Sequence, residues 1–430
     1  MRALPFAILA GSVAPLFAQS PKLYYDFNAG TALNTGTLGG TGTVQSGVFS
    51  GVSPAPGSQG TYYSNSVDGN ASGGIGINTG ITAANACFTG AYTAMAWVRL
   101  STTVGDNMVF GQNADVGGVL HDGVRDGAWH QGHWGNDTTT GAVPTGVWTH
   151  VTYRYDGANQ QIFVNGNSII GPQAKGALAN ATTNIFLGAS ENNGGFLGDI
   201  DSVAVFASAL TPIQIFAVGT GLVAPTNSAG LAAAVQANPA NVGILAPYTV
   251  KTVLAASQTM TNLAAADAAL AGGGVVTTSG IAEINFKQSG GGGGDGNFLP
   301  NAEFPGISAA GDIDDFAMQA TTTIRAAIDG YYQFGINGDD GGRLRIDGNI
   351  VINDDTLHGP QDATGFVFLS AGNHSLQHTF FERGGGAESE LFMLDAAGNR
   401  TLLNNVVVPE PSLAGLLGIT LVLGFRRRRV

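Results

Sequence analysis

From residue 22 to about 218 the chain alternates apolar and polar residues in short runs separated by Gly, Asn and Asp. This is the period of half-buried strands broken by turns, and it predicts a β-sandwich. Tyr92 to Leu100, Gly146 to Gly157, Gln161 to Gly166 and Gly198 to Phe206 are its clearest strands, and Asp156-Gly157 is a hairpin turn. Residues 219–280 change character: they are Ala-rich and nearly uncharged, with helical spacing at Leu231 to Val235 and Leu254 to Leu270. They read as a linker with short helices. Residues 281–405 return to strands, with Gly290 to Gly294 marking a loop or hinge. The fold class is therefore all-β: two sandwiches joined by a partly helical linker.

Unbroken apolar runs occur at the two ends. Residues 1–18 have a basic start at Arg2, an apolar stretch and small residues at Ala14 and Ala18, the pattern of a secretory signal peptide cleaved after Ala18. At the other end, Val408-Pro409-Glu410-Pro411-Ser412 precedes an apolar helix from Leu413 to Phe425 and the cluster Arg426 to Arg429. That run is shorter than the ~20 residues that span a bilayer.

Composition narrows the classes. With 66 Gly, 11% charged residues and one cysteine, Cys87, in 430 residues, the chain is neither a disulfide scaffold nor a coiled coil. Its glycines cluster and do not recur every third residue, which excludes collagen. The net charge is −13, and five of the 17 basic residues sit at the extreme ends, so the body is more acidic than the total suggests. Such a body has no basic field for nucleic acid. Divalent cations and neutral glycans suit it better.

The terminal motif resembles the PEP-CTERM sorting signal over 408–430. That resemblance implies exosortase as a partner during export and a Gram-negative bacterium as the source. It also implies transient membrane association through the tail, an inner-membrane stage, and a destination on the outer surface or in the extracellular matrix.

In the first sandwich (22–218), Trp148 to Gly157, Ile162 to Gly166 and Gly198 to Thr211 follow one another in a recognisable order. That order resembles the laminin-G-like or concanavalin A-like jelly roll, whose members bind glycans, often with calcium, or cleave them. The Glu-x-Asp-x-Glu strand of glucanase relatives is absent; the nearest run, Glu388-Ser389-Glu390, lies in the other domain. The densest polar cluster is Leu120 to Asp137. A two-residue turn at Asp126-Gly127 sets Gly123 opposite His130, placing His121, Arg125, His130 and Trp134 on one face and Asp122, Trp129 and His133 on the other. The first set has three readings: a sugar-contact face, a polar surface, or a metal site through His121 and His130. Two histidines without a clear carboxylate partner are a weak zinc signal.

The second sandwich carries Asp329 to Gly348, then Phe366 to Gly372, then Glu382-Arg383-Gly384-Gly385. Together these resemble the protective-antigen-type (PA-fourteen) domain. In flocculin relatives of that family an adjacent Asp pair, sometimes joined by a cis peptide, holds Ca²⁺ that binds sugar hydroxyls. The resemblance carries that role onto Asp339 and Asp340. Asn337 departs from the usual Ser, and the second calcium-binding loop has no residue-by-residue match; Asn353, Asp354 and Asp355 are its candidates. The alternative is that Asp339 and Asp340 only shape the turn.

The leading functional reading is an exported, non-catalytic surface or matrix protein that binds polysaccharide, with Ca²⁺ as cofactor. A glycoside-active enzyme with a dispersed site and a purely structural spacer are the alternatives.

Overall fold

The structure is a computed structural model and describes residues 19–404 apart from 53–59, 70, 192–193, 256–258, 293 and 309–310. The expected signal peptide at 1–18 and sorting tail at 408–430 lie outside the described residues. Two β-sandwiches follow one another along the chain, so the all-β expectation holds.

In the first sandwich a nine-stranded sheet faces a seven-stranded one. Tyr92–Leu100 lies in the middle of the larger sheet, antiparallel to Thr149–Tyr155 on one side and Gly198–Phe206 on the other. Alternate residues of these strands, including Ala94, Val98, Val151, Tyr153, Val203 and Val205, point inward. They meet Phe110, Val124, Trp129, Ile185 and Leu187 from the smaller sheet. The predicted hairpin forms in the predicted register: Asp126 (φ 48°) and Gly127 (φ 85°) make a turn that sets Gly123 opposite His130.

The larger sheet is also covered outside. Thr211 and Gln214 form a reciprocal capping box that starts the helix Pro212–Gly219, with Pro at its first turn. Ile215 and Val218 of that helix pack on Met95, Phe163, Ala204 and Phe206, which point away from the inter-sheet core. Apolar contact on both faces is why Tyr92–Leu100 and Gly198–Phe206 are almost wholly buried.

The second sandwich pairs a seven-stranded with a five-stranded sheet around Phe316, Phe334, Leu344, Phe380 and Leu391. The stretch read as a linker differs from expectation here. Only its first part connects the domains; Val242–Ile244, Tyr248–Leu254 and Val276–Ile281 are strands of the second sandwich. Tyr248 and Val250 are buried, while the edge strand Val276–Ile281 is polar and mostly exposed, which gave it a linker's composition. Among the described residues, the helix expected over Leu254 to Leu270 forms as Leu263–Leu270, started by the Asn262 side chain, and its Leu263 N–H also donates to Asp355 Oδ1 at 2.5 Å.

The two sandwiches touch through that first helix. Ile213 and Phe216 pack against Phe366, with the Phe216 and Phe366 rings 5.3 Å apart. Polar contacts flank them: Phe366 N–H donates to Asn167 Oδ1 (3.2 Å) and Gln236 Nε2 to the Leu394 carbonyl (2.6 Å). Phe216→Ala removes the central ring of this small contact and is expected to cost about 3 kcal/mol. The expected result is a split unfolding transition in calorimetry and a larger radius of gyration by small-angle scattering. A single unshifted transition would show that the helix does not couple the sandwiches.

Candidate functional site

The strand Gly330–Asp339 ends at Asp339-Asp340, joined by a cis peptide bond. A Cβ on Gly341 would lie 2.4 Å from the Asp354 carbonyl oxygen and 2.9 Å from that of Thr356. Only glycine lets the 354–358 loop close over the acidic pair. Asp340 is held there by backbone donors, His358 N–H on Oδ1 and Arg383 N–H on Oδ2, both at 2.9 Å.

Around the pair lie buried carboxylates short of donors. Glu382, at the end of Gly372–Glu382, is fully buried with no side-chain donor, only the Gly384 and Asp340 amides favouring its charged form, and Glu388 is 1% exposed with both oxygens unpartnered. Burial, reinforced by Asp340, pushes Asp339 up to about 6. Burial and the charges of Asp340 and Asp339 push Glu382 up to about 9, and burial with Glu390 nearby does the same to Glu388. Buried oxygens short of donors and crowded by like charge are hard ligands suited to a calcium ion. Asp339 and Asp340 offer such oxygens, although with Glu382 they do not bring three ligand atoms within 4.8 Å of one another.

Two of the three second-loop candidates are engaged elsewhere. Asp354 Oδ2 faces His358 Nε2 at 3.0 Å while Oδ1 accepts from Thr356 Oγ1, and Asp355 caps the helix at Leu263. Burial opposes the charge on His358, yet the Asp354 carboxylate raises it to about 9, so an imidazolium stands beside the acidic end. The same loop lines a cleft of about 700 Å³ between the sandwiches. Asp354, His358 and Thr364 form one wall; Thr140, Asn165 and Asn167 of the first sandwich form the other.

In the first sandwich His121, Arg125, His130 and Trp134 come together as the alternation predicts. His121 and His130 stack with ring centroids 5.0 Å apart, and Trp134 meets His121 edge-on at 6.3 Å. Trp134 and Arg125 are partly exposed, the latter paired with Asp106 at 2.8 Å; the imidazoles are 2% and 1% exposed and offer a sugar ring almost no surface. On the opposite face, Asp122, His133 and Gln131 surround the buried Tyr92 hydroxyl at 3.3, 2.9 and 3.1 Å.

Glu382 and Asp137 are the residues that sequence reasoning passed over. Glu382 opens the quoted Glu-Arg-Gly-Gly run, a signal that was present. Asp137 ends the polar cluster, but its place beside the histidines depends on the strand Asp137–Ala142 folding back along Ala128–Gly132.

Residues 73–216 match the family model of the concanavalin A-like lectin/glucanases superfamily, and residues 309–394 match that of the PA14 domain. No curated protein matches the chain in sequence. Among solved structures, domain 4 of an extracellular GH43 arabinanase from Geobacillus stearothermophilus, in complex with arabinotriose, is similar at 17% identity and a TM-score of 0.36. That similarity covers 47% of this chain and 99% of that one. A PA14 sugar-binding domain from an RTX adhesin is similar at 19% identity and a TM-score of 0.30, covering 37% and 99%. An epithelial adhesin A domain from Candida glabrata follows at 10% and 0.27, covering 41% and 96%.

One histidine behind the acidic end makes the domain pH-sensitive. His378 is buried, with Nδ1 donating to the Arg343 carbonyl (3.3 Å) and Nε2 accepting from the Ser389 hydroxyl (3.0 Å), and burial pushes it down to about 4. An unfolded histidine takes its proton near ~6.5. The stabilisation is therefore complete above that pH and is lost as pH falls towards 4, by about 3 kcal/mol in full. The raised carboxylates Glu382, Glu388 and Asp339 act in the opposite direction over this range, so the test is the difference between two proteins: the stability of the wild type relative to His378→Asn, from urea midpoints, should decrease from pH 7 to 4, and a difference constant over that range would exclude the His378 contribution.

Proposed function

We propose, for a chain that carries a concanavalin A-like domain followed by a PA14 domain, an exported, non-catalytic protein of the cell surface or extracellular matrix that binds polysaccharide through calcium. The observation that carries this reading is the Asp339-Asp340 pair beside buried Glu382, behind the 354–358 loop that lines the inter-domain cleft. Calcium, when bound, supplies a hard Lewis acid that vicinal sugar hydroxyls can ligate. The chain's own groups do the rest. Asp340 is oriented by the His358 and Arg383 amides, Asp339 and Glu382 supply charge, and the Asn165 and Asn167 side chains across the cleft supply amide hydrogen bonds to a neutral glycan.

The address belongs to the same reading. Residues 1–18 direct export, and the 408–430 tail holds the chain briefly at the inner membrane of a Gram-negative cell until exosortase removes it. A C-terminal epitope placed after Val430 should then be lost from the surface-exposed protein in an exosortase-bearing host; its retention there would reject the sorting step.

Binding and catalysis separate in one assay. The full chain should be pulled down by an insoluble polysaccharide with Ca²⁺ and released by EGTA, with no reducing sugar above background. Asp339→Asn with Asp340→Asn should abolish retention. Asp339→Asn alone, which removes like charge and leaves both N–H contacts of Asp340 in place, should also raise Tm in EGTA by about 2–4 °C, while the Ca²⁺-dependent rise disappears. Retention that ignores EGTA and both substitutions would overturn the calcium role, and sugar release would overturn the non-catalytic reading.

A further inference from the structure

The histidine pair in the first sandwich has a carboxylate partner after all. Asp137 Oδ1 lies 3.5 Å from His121 Nε2, and His121, His130 and Asp137 each offer a ligand atom within 4.8 Å of the others. We propose that these three residues form a binding site for a first-row transition metal, Zn²⁺ above all, on the outer face of the smaller sheet.

Three adjacent strands build it. His121 lies on His121–Arg125, His130 on Ala128–Gly132 and Asp137 at the start of Asp137–Ala142. The register sets Asp137 opposite Gly132 and Thr139 opposite His130, so all three ligands share one face of the pleat. A tetrahedral zinc with bonds of about 2.0–2.1 Å holds its ligand atoms about 3.3–3.5 Å apart. The 3.5 Å separation of His121 and Asp137 already meets that edge.

The outer shell leaves the right nitrogens free. His121 Nδ1 is 3.2 Å from the Val119 carbonyl, an acceptor, so Nδ1 carries the proton and Nε2 presents its lone pair. His130 Nδ1 is bonded to Thr139 Oγ1 at 2.8 Å, which leaves Nε2 to the site. That Nε2 is buried without a partner on a side chain only 1% exposed, and the Asp137 Oδ1 atom, on a partly exposed side chain, is itself buried with no contact closer than the 3.5 Å approach of His121 Nε2. Donorless atoms of two different chemistries, aimed at one point, are what a bound cation would satisfy.

Space for the ion is kept by glycine. A Cβ on Gly132 would sit 2.3 Å from His121 Nε2. The imidazoles are buried, while Asp137 and Trp134 are partly exposed and give a route in from solvent. Three protein ligands leave one position for water or an oxygen ligand. Imidazole nitrogens favour zinc and its neighbours over calcium, so this site and the acidic end of the second sandwich select different ions.

The test uses the full chain stripped with a chelator and then titrated with Zn²⁺ and, separately, with Co²⁺. The expected result is one tight equivalent of Zn²⁺, a Tm that rises with Zn²⁺, and visible ligand-field absorption from the Co²⁺ form that excess Ca²⁺ does not erase. His130→Ala should abolish all three signals, and Asp137→Asn, at a partly exposed position where folding is safest, should weaken Zn²⁺ at least about tenfold. Gly132→Ala should block binding with every ligand still present. Absence of a tight equivalent in the wild type would overturn the proposal. So would affinity unchanged in Asp137→Asn, or displacement of Co²⁺ by Ca²⁺.

Discussion

Side chains on a pleated strand alternate between faces, and a one-residue slip would exchange everything each face carries. In the hairpin from His121 to Gly132 that alternation sends Val124 and Trp129 into the core and gathers His121 and His130 on the outside. It also carries Asp122, Gln131 and His133 inward, where they surround the Tyr92 hydroxyl. The register is pinned by a turn that needs left-handed backbone at both Asp126 and Gly127. Core, buried polar network and the His121–His130 pair therefore rest on one turn geometry.

The second sandwich meets a harder constraint at its edge. Glu382 and Glu388 end in the interior with no side-chain donor, and no apolar repacking can satisfy an ionised carboxylate. Such groups either hold a proton or share a cation with Asp339 and Asp340. The acidic excess seen in the composition is thus not spread evenly as surface solubility; part of it is concentrated at one end of one domain.

The Phe216 contact joins the domains in packing, and the cleft opens beside it. A helix that begins in the first domain's Ala-Leu-Thr run covers that domain's own sheet with Ile215 and Val218 and turns Ile213 and Phe216 to the second. With the sandwiches seated this way, the loop that buttresses Asp340 faces Asn165 and Asn167 across about 700 Å³.

Local pattern settled much of this protein. Strand periodicity, Asp-Gly turns and the Asp339-Asp340-Gly341 run lie within stretches of a few residues, where the pleat and turn chemistry act directly. The all-β class, the hairpin register and the acidic pair were legible for that reason. Partners distant in the chain were not. The strands Tyr248–Leu254 and Val276–Ile281 passed for linker because an Ala- and Thr-rich edge strand declares itself only once Phe316–Ala326 lies beside it. Glu382 reaches Asp339 across 43 residues, and Asp137 reaches His121 only after its strand folds back. Residue types and spacing predicted which chemistry was available; which groups converge, and which are buried beyond a ligand's reach, depended on long-range sheet pairing that no local propensity encodes.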